Sequence, residues 1–431
     1  MRKNRYSVRV KNVLCTFFMI AGAFSQARSI SAVEGLVTVK RDAMILTVGG
    51  PQADIPGFTT RAVQIAVDAL RTNGGGTVRL GPGRYDITGP VFLYDGTNLI
   101  RSGSETILMK ADGFRTSFII DADYGMYKVT VQDPSGFRVG MGIQLFDDAR
   151  TDCWDATLAR ITSIDGNVLY IDTGLVRDYE ARLNGFISTS GSIVECIDAA
   201  DVRIADFVVD GNGANNDPIN GCRGGGIYVH RSRNVTIENV TVRNFNGDSF
   251  SWQITENITV KNCEAANGTG LGFHPGTGSD SSIIESCKSH HNGGDGIFLC
   301  WRVQHGVFRN NTVYSNGRYG ISIGHKDTDN LFENNHVYEN SRHGVYFREE
   351  NEENAGHRNT FRNNTIENNG APAFKAYGFY IDGETHDIVI EENTIRSTGK
   401  GNQAGGVFVG PKASRIQADK NTFAGHPGVV R

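Results

Sequence analysis

The sequence predicts an all-β fold in which a short unit repeats and its copies stack into a parallel solenoid. Two independent columns of residues recur together, at intervals of 24 residues in the central copies. The first column opens a short apolar stretch and contains Gly226, Ser249, Gly272, Gly296, Gly320, Gly344, Gly378 and Gly406. The second column contains Asn239, Cys263, Cys287, Asn311, Asn335, Asn364, Asn393 and Asn421. Two columns that share one period indicate coils stacked in register.

The repeating unit itself has the pattern of β-structure. Each copy holds short alternating stretches such as Gly320-Ile321-Ser322-Ile323, divided by Asn-Gly and Gly-Gly turns. About 24 residues accommodate three short strands and three corners, so that successive coils lie roughly 4.8 Å apart. Asparagine at a corner tolerates left-handed backbone angles, and its amide can bond to the next coil. Cys263 and Cys287 in this column could form a disulfide or remain buried thiols.

A helix is predicted near residues 59–72, before the first coils, where it would close the open end of the solenoid. Thr59 and Thr60 can cap its start. Its predicted apolar face consists of Val63, Ile65, Ala66, Val67 and Leu70. The three glycines from Gly74 to Gly76 end it.

The capping helix, the stretch "GGGTVRLGPGRY" and the Asn-rich coils that follow resemble the pectin-lyase-like superfamily of right-handed parallel β-helices. The resemblance covers residues ~55–425 apart from an insert. It implies a right-handed parallel β-helix. It also implies a carbohydrate-active enzyme, because the superfamily includes polysaccharide lyases, glycoside hydrolases and mannuronan C5-epimerases. It does not select one reaction, since this scaffold supports many chemistries.

Pattern and composition divide the chain into four segments. They are a signal peptide at 1–27, the cap and first coils at 28–123, a small inserted β domain at 124–188, and the remaining coils with a candidate cleft at 189–431. The first segment has a basic start, an apolar run from Val13 to Phe24 and a small residue, Ala27, as a secretory signal peptide requires. The insert reads as β-hairpins and is either a structural knob or one wall of the cleft.

The charge balance restricts the partners. Loss of residues 1–27 would remove five positive charges and no negative ones, which takes the net charge from −4 to about −9. An acidic chain without a basic run argues against nucleic acid as a partner. No later stretch is apolar for long enough to cross a membrane. We therefore expect a secreted or periplasmic monomer that binds a polysaccharide.

No metal or other cofactor is predicted. The six cysteines after the signal peptide lack the CxxC spacing of a zinc site. These cysteines are Cys153, Cys196, Cys222, Cys263, Cys287 and Cys300. Acidic loops could bind calcium, but none has a recognisable ligand spacing.

The candidate site lies on the outward face of the strands that follow the opening column. Residues between the inward apolar positions must face outward. The predicted catalytic residues are His274, Arg302, His325, Lys326, Asp327, Arg348 and Glu349. The predicted substrate-binding residues are Tyr228, His230, Phe298, Trp301, Tyr346, Tyr380 and Asp382. Aromatic faces beside cations and carboxylates suit an anionic sugar polymer, although a solvated ion-pair ladder would use similar charges.

Three functions remain open at this point. In β-elimination or a related C5-proton abstraction, Arg302, Arg348 or Lys326 would neutralise a uronate carboxylate and a histidine would act as base. In glycoside hydrolysis, Asp327 would pair with Glu349, Glu350 or Asp382. The third alternative is a non-catalytic glycan-binding surface or adhesin.

The resemblance to the mannuronan C5-epimerases is partial at the site. Their catalytic strand reads Tyr-Gly-Phe-Asp-Pro-His, and the matching stretch here is Leu271-Gly272-Phe273-His274-Pro275-Gly276. The Tyr, Asp and His positions therefore differ, and the second catalytic Asp of that family falls at Cys300. Of its later Arg-His pair, only the Arg has a counterpart, Arg318. The scaffold and the position of the cleft carry over, and the catalytic residues do not.

Overall fold

Each coil contributes one short strand to each of three parallel sheets, which we call sheets I, II and III. The computed structural model describes residues 44–101, 105–149 and 153–431, so the predicted signal peptide lies outside the described residues. Neighbouring coils pair in register, for example Ile321 with Val345 in sheet III and Phe308 with Phe332 in sheet I. The prediction of an all-β parallel solenoid is confirmed.

The strands of each sheet follow the chain order of the coils. Sheet I contains Ile45–Gly49, Gly76–Leu80, Thr97–Arg101, Ala200–Ala205, Arg233–Glu238, Glu256–Lys261, Ile283–Glu285, Val307–Arg309, Leu331–Glu333 and Thr360–Arg362, with the short Ile55–Pro56 at its start. Sheet II contains Gly83–Ile87, Thr106–Lys110, Val208–Asp210, Thr241–Arg243, Glu264–Ala266, Lys288–His290, Thr312–Tyr314, His336–Tyr338 and Thr365–Glu367. Two long strands, His386–Arg396 and Ser414–Ala424, continue both sheets. Sheet III contains Val91–Leu93, Val194–Ile197, Ile227–His230, Phe250–Gln253, Phe273–Pro275, Ile297–Phe298, Ile321–Ile323, Val345–Phe347, Ala376–Ile381, Gln403–Val409 and Val429–Val430.

The asparagine column forms a hydrogen-bonded ladder at the corner between sheets I and II. The backbone N–H and the side-chain amide of Asn311 both donate to Oδ1 of Asn335, each at 3.0 Å. Asn335 bonds to Asn364 in the same way. Cys263 and Cys287 continue this column as buried thiols, with the N–H of Cys263 3.4 Å from the sulfur of Cys287. Stacking therefore gives hydrogen-bond partners to buried polar groups that would otherwise be unpaired at every corner.

Two details of the column differ from the prediction. The left-handed residue is the one before each ladder position, such as Asn310 and Asn334, with φ of 58° and 56°. Asn239 does not belong to the ladder. Thr241 pairs with Glu264, which places Val240, not Asn239, beside Cys263. A coil of 23 residues rather than 24 causes this offset of one position.

The predicted helix is Thr60–Thr72, and Thr59 caps it by accepting the N–H of Ala62 at 3.2 Å. Four of the five predicted apolar positions are buried against the end of the solenoid. Ile65 is the exception, with 46% of its surface exposed, because it follows the buried Val63 by only two positions and therefore lies on the outer face.

An antiparallel insert interrupts the coils between the sheet II strand Thr106–Lys110 and the sheet III strand Val194–Ile197. Its strands are Arg115–Ser117, Lys128–Thr130, Gly142–Phe146, Leu158–Asp165, Val168–Ile171 and Phe186–Ser188. The first strand, which pairs with the last, begins before the boundary at residue 124 that its hairpin pattern suggested. Short 3-10 turns lie at Cys153–Asp155, Ala181–Leu183 and Gly213–Asn215. The insert has its own apolar core, which includes Phe137 and Leu169.

Aromatic side chains stack along the axis inside the solenoid. The rings of Phe308, Phe332 and Phe361 follow one another with centroids 4.7 and 4.6 Å apart. Inward packing of this kind anchors the coils independently of their outward residues. None of the helices in the described ranges is long and apolar enough to span a membrane.

Candidate functional site

The outward side chains of sheet III form a single column from coil to coil. Strand pairing places Ser251 beside His274, Phe298 beside Ser322, and Ser322 beside Tyr346. The column continues through Tyr380 and Phe408. It matches the predicted column and brings residues distant in sequence within one or two coils of each other.

Aromatic rings cover the later coils of this face; Tyr346, Tyr380 and Phe408 are partly exposed, whereas Tyr319 is buried, with 7% exposed. Tyr319 stacks on Tyr346 with ring centroids 4.2 Å apart, and Tyr380 stacks on Phe408 at 4.5 Å. The hydroxyl of Tyr380 donates to Asp382 at 3.2 Å. Flat apolar faces with polar edges are suited to packing against sugar rings.

The Arg348 side chain lies flat on the outward face of sheet III. It hydrogen-bonds to Leu299, Ser322 and Asp327, which we call the floor of this face. Its Nη1 donates to Ser322 Oγ at 2.9 Å, and its Nη2 donates to the carbonyl of Leu299 at 2.7 Å and to Asp327 at 3.1 Å. The guanidinium also lies 4.6 Å from the centre of the Phe298 ring. A side chain at position 324 would collide with Arg348, so the glycine there makes room for the guanidinium and does not leave an open hollow.

Asp327 is completely buried and therefore does not line a cleft as predicted. Its carboxylate accepts the N–H groups of Val303 and Gly324 at 3.0 Å each, besides Arg348. Burial raises its pKa to about 7, although the charge of Arg348 and the two N–H groups act against this. Asp327 holds the floor together, because its carboxylate joins Val303, Gly324 and Arg348 in one hydrogen-bonded network.

His325 stands at the partly exposed edge of the same floor. Its ring stacks on Trp301 with centroids 5.0 Å apart and planes 13° apart. Its Nδ1 lies 2.6 Å from Oε1 of Glu350. Burial and the charge of Arg348 lower the pKa of His325, and Glu350 opposes them. At neutral pH this ring is therefore an uncharged imidazole that a carboxylate orients.

His274 belongs to a separate, buried cluster beneath the earlier coils. Its Nδ1 lies 2.7 Å from Oδ2 of Asp248, and only 2% of the residue is exposed. Burial acts to lower its pKa, but Asp248 and Cys300 outweigh burial and raise it to about 10. A hydrogen bond from Cys222, together with His274, lowers the pKa of the Cys300 thiol against the effect of burial.

The remaining predicted residues lie around these two groups. Arg302 and Glu349 are exposed, and Lys326 is partly exposed with its Nζ 3.4 Å from Glu353. Tyr228 is 3% exposed and donates to the carbonyl of Cys222, so it does not present a face to solvent. His230, in the strand two coils before that of His274, is half-buried under the insert. Its ring lies 5.8 Å from that of Trp154.

Exposed ion-pair ladders do exist, but on another sheet. Arg309 pairs with Glu285 at 3.0 Å and Arg362 with Glu333 at 2.7 Å, at the ends of sheet I strands. The arginine side chains there are 40% and 45% exposed, whereas that of Arg348 is 13% exposed. Arg348 is thus more enclosed than the arginines of these ladders.

The family assignment rests on the repeating part of the chain. A family profile described as a right-handed β-helix region matches residues 207–355 and 352–430, which is more than half of the 431 residues. The chain belongs to the right-handed β-helix family. No curated protein is similar enough in sequence to match it.

Solved structures resemble this right-handed β-helix in fold. The A-module of mannuronan C-5 epimerase AlgE4 from Azotobacter vinelandii is 20% identical, with a TM-score of 0.54 over 86% of this chain and 93% of that module. The family 28 exopolygalacturonase of Yersinia enterocolitica is 15% identical, with a TM-score of 0.54 over 89% and 76%. The surface adhesin PfbA of Streptococcus pneumoniae is 14% identical, with a TM-score of 0.54 over 86% and 89%. At these identities the likeness is one of fold alone.

Sequence reasoning did not find two members of the buried cluster around His274, which are Asp248 and Cys222. Asp248 precedes the opening column by one position, and Cys222 lies in a connection before sheet III. Because coils stack, residues about one coil apart in sequence lie close in space. The separation of 26 residues from Asp248 to His274, and again from His274 to Cys300, was the available signal.

Proposed function

We propose that this protein is a secreted enzyme that cleaves an acidic, uronate-containing polysaccharide by β-elimination. The observation that carries the proposal is the His325–Glu350 pair at the edge of sheet III, stacked on Trp301 and next to Arg348. β-Elimination requires a base for the C5 proton, a cation for the adjacent carboxylate and a proton for the leaving oxygen.

His325 is better suited than His274 to act as the base. A neutral imidazole that donates from Nδ1 to Glu350 presents an unprotonated Nε2 to the substrate. His274 is enclosed, and its pKa of about 10 keeps it protonated at neutral pH. Of the two histidines offered by the sequence, the exposed one therefore has the required protonation state.

The cations around His325 divide into a fixed and a mobile group. Arg348 is held in the floor by Asp327 and two further acceptors, so its charge is preorganised. Arg302 is exposed and Lys326 is partly exposed at the rim, where either can contact a bound carboxylate. As C5 loses its proton, negative charge develops on the carboxylate, and these cations stabilise it. The C4–O bond then breaks, a C4–C5 double bond forms, and Lys326 is the candidate donor of a proton to the leaving oxygen.

A polysaccharide is the substrate class that this face suits. The aromatic rings of Phe298, Tyr346, Tyr380 and Phe408 lie in one column that Ser322 interrupts after Phe298, on coils that are about 4.8 Å apart. An epimerase named for mannuronan and an exopolygalacturonase share the fold, which supports a uronate polymer. Hydrolysis with Asp327 is disfavoured, because a carboxylate without exposed surface cannot flank a glycosidic bond.

The proposal is tested with purified protein and a panel of polymannuronate, polygalacturonate and glucuronate-containing glycans. Ultraviolet absorbance of unsaturated uronates and new reducing ends should appear together. Reducing ends alone would show hydrolysis, and binding without turnover would show an adhesin-like role; either result contradicts the proposal. Deuterium uptake at C5 without cleavage would show epimerisation, which keeps the proton abstraction but excludes elimination. N-terminal sequencing of exported protein tests the proposed secretion, with residues 1–27 expected to be absent.

A further inference from the structure

Two cysteines and a histidine from different coils come together beneath sheet III. One ligand atom from each of Cys222, His274 and Cys300 lies within 4.8 Å of the other two. Cys222 and His274 are buried, with 4% and 2% exposed, and Cys300 is partly buried. The β-elimination proposed above uses none of these three side chains.

The separation of the three atoms fits a small tetrahedral ion. With zinc–sulfur bonds of about 2.3 Å and zinc–nitrogen bonds of about 2.0–2.1 Å, the ligand atoms around zinc are about 3.6–3.8 Å apart. The three atoms lie within 4.8 Å of one another, so they are at most about 1.2 Å farther apart than zinc requires. Thiolate and imidazole are ligands that favour zinc over calcium or magnesium.

The histidine is already oriented as in metal sites. Asp248 Oδ2 lies 2.7 Å from its Nδ1, and the other carboxylate oxygen accepts the N–H of Leu271 at 2.8 Å. This carboxylate–histidine contact fixes the ring and leaves Nε2 for a metal, which is the usual outer-shell arrangement. The amide nitrogen of Gln253 is 3.5 Å from Nε2, too far for a strong hydrogen bond, so zinc can replace the proton on Nε2.

A glycine beside one ligand allows this packing. A Cβ at position 221 would lie 1.7 Å from Oδ2 of Asp248 and 3.1 Å from Nδ1 of His274. Gly221 therefore lets the segment that carries Cys222 pass directly over the Asp248–His274 pair.

We propose that Cys222, His274 and Cys300 bind one zinc ion and leave its fourth position open to water. Asp248 is then the residue that positions His274. Two thiolates balance the charge of the ion, so a buried site becomes electrically neutral when it is filled. The spacing of these ligands differs from CxxC because the solenoid, not a local turn, brings them together.

The test uses the full chain, which is reduced, dialysed against excess zinc, and then dialysed against metal-free buffer. Elemental analysis should find one zinc per chain. The Cys300→Ser and His274→Gln variants should lose it, and Asp248→Asn should bind it at least ten times more weakly. Cys287→Ser is the matched control, because Cys287 is an equally buried thiol in the asparagine column, and it should keep the zinc. In the wild type, cobalt in place of zinc should give a thiolate-to-cobalt charge-transfer band. This band identifies thiolate ligands in the unsubstituted protein.

Two results would overturn the proposal. One is zinc content that is substoichiometric or unchanged by the Cys300 and His274 substitutions. The other is a Cys222–Cys300 disulfide found by peptide mapping of protein isolated without reductant. The His325→Asn variant separates this site from the proposed activity, since it should abolish turnover and retain zinc.

Discussion

Arg348 reaches back by one coil and binds the buried carboxylate of Asp327, with Nη2 3.1 Å from Oδ2. Both residues were predicted as catalytic groups lining a cleft. Asp327 has no exposed surface, and the guanidinium is 13% exposed, so the pair belongs to the floor of sheet III. A buried pair of this kind is costly to break, since the remaining charge is left without its partner.

Replacing Arg348 by Met should therefore reduce the free energy of unfolding by about 3–5 kcal/mol. Guanidinium unfolding monitored by circular dichroism measures this change. The matched control is Arg309→Met, which removes an exposed Arg–carboxylate pair with Glu285 in sheet I. That change should cost at most about 1 kcal/mol. Equal losses in the two variants would show that Arg348 is not a structural residue.

Removing the proposed base should abolish activity without affecting the fold. His325→Asn should reduce turnover by about 10²–10⁴-fold, as expected for a general base. Asparagine is chosen because the backbone at His325 is left-handed, with φ of 49°, which asparagine tolerates. The control is His305→Asn, at φ of 54° just before the sheet I strand Val307–Arg309 and paired with Asp280. It should retain full turnover, and loss of activity in both variants would point to the backbone instead.

The Glu350→Gln variant should change the pH dependence of turnover. Glu350 opposes the lowering of the His325 pKa, so its neutral replacement should lower that pKa further. The base is active when unprotonated, so the acidic limb of the kcat profile should move to lower pH. Its maximum should fall as well, because the ring loses its orientation. An acidic limb that stays in place would show that His325 is not the titrating base.

The repeat made most of the fold predictable. A column of asparagines such as Asn311 and Asn335 indicates stacked coils, because their side chains can hydrogen-bond to each other only when the coils are aligned. The error at Asn239 arose because one coil is a residue shorter, an interval of 23 that the first column shows from Ser249 to Gly272 and the second column did not follow. The start of the insert was missed because Arg115–Ser117 pairs with a strand about 70 residues later, and local pattern carries no such pairing.

The outward column of sheet III was predictable, but the burial of its side chains was not. Strand alternation placed Phe298, Ser322 and Tyr346 in one outward column, since the side chains of a strand alternate between its two faces. The depth of Asp327 and His274 could not be read, because burial there depends on neighbours such as Arg348 and Asp248 folding over them. Whether a charged residue forms the floor or the rim is decided by side-chain packing.

Interrupting the asparagine ladder should destabilise the chain markedly. The Asn335 side chain accepts two bonds from Asn311 and donates to Asn364 and to the carbonyl of Phe308. Asn335→Ala leaves these buried partners unsatisfied and should cost about 3 kcal/mol or more. Denaturant unfolding measures the loss. Asn421→Ala, at the partly exposed end of the ladder, should cost less because water can replace its bonds. A larger loss at Asn421 would contradict the cooperative ladder.

Glu195 should make stability depend on pH. The residue is 7% exposed and lines a cavity of about 100 Å³ between the insert and sheet III, with Arg160, Asp172 and Arg223. Burial raises its pKa to about 7 from an ordinary value of 4.5, although Ser192 and Arg160 act against this. Between these values the folded state keeps a proton that the unfolded chain has lost. The contribution of Glu195 to stability therefore falls as pH rises through this window.

Glu195→Gln removes the ionisation and keeps the shape of the side chain. Relative to wild type, the variant should gain up to about 3 kcal/mol in unfolding free energy on going from pH 5 to pH 8. Thermal and denaturant unfolding at both pH values measure the difference. Glu256→Gln, an exposed position in sheet I, is the control and should shift stability equally at the two pH values. If Glu195→Gln behaves like this control, the carboxyl is ionised and hydrated in the fold, and the cavity between the insert and sheet III is open to water.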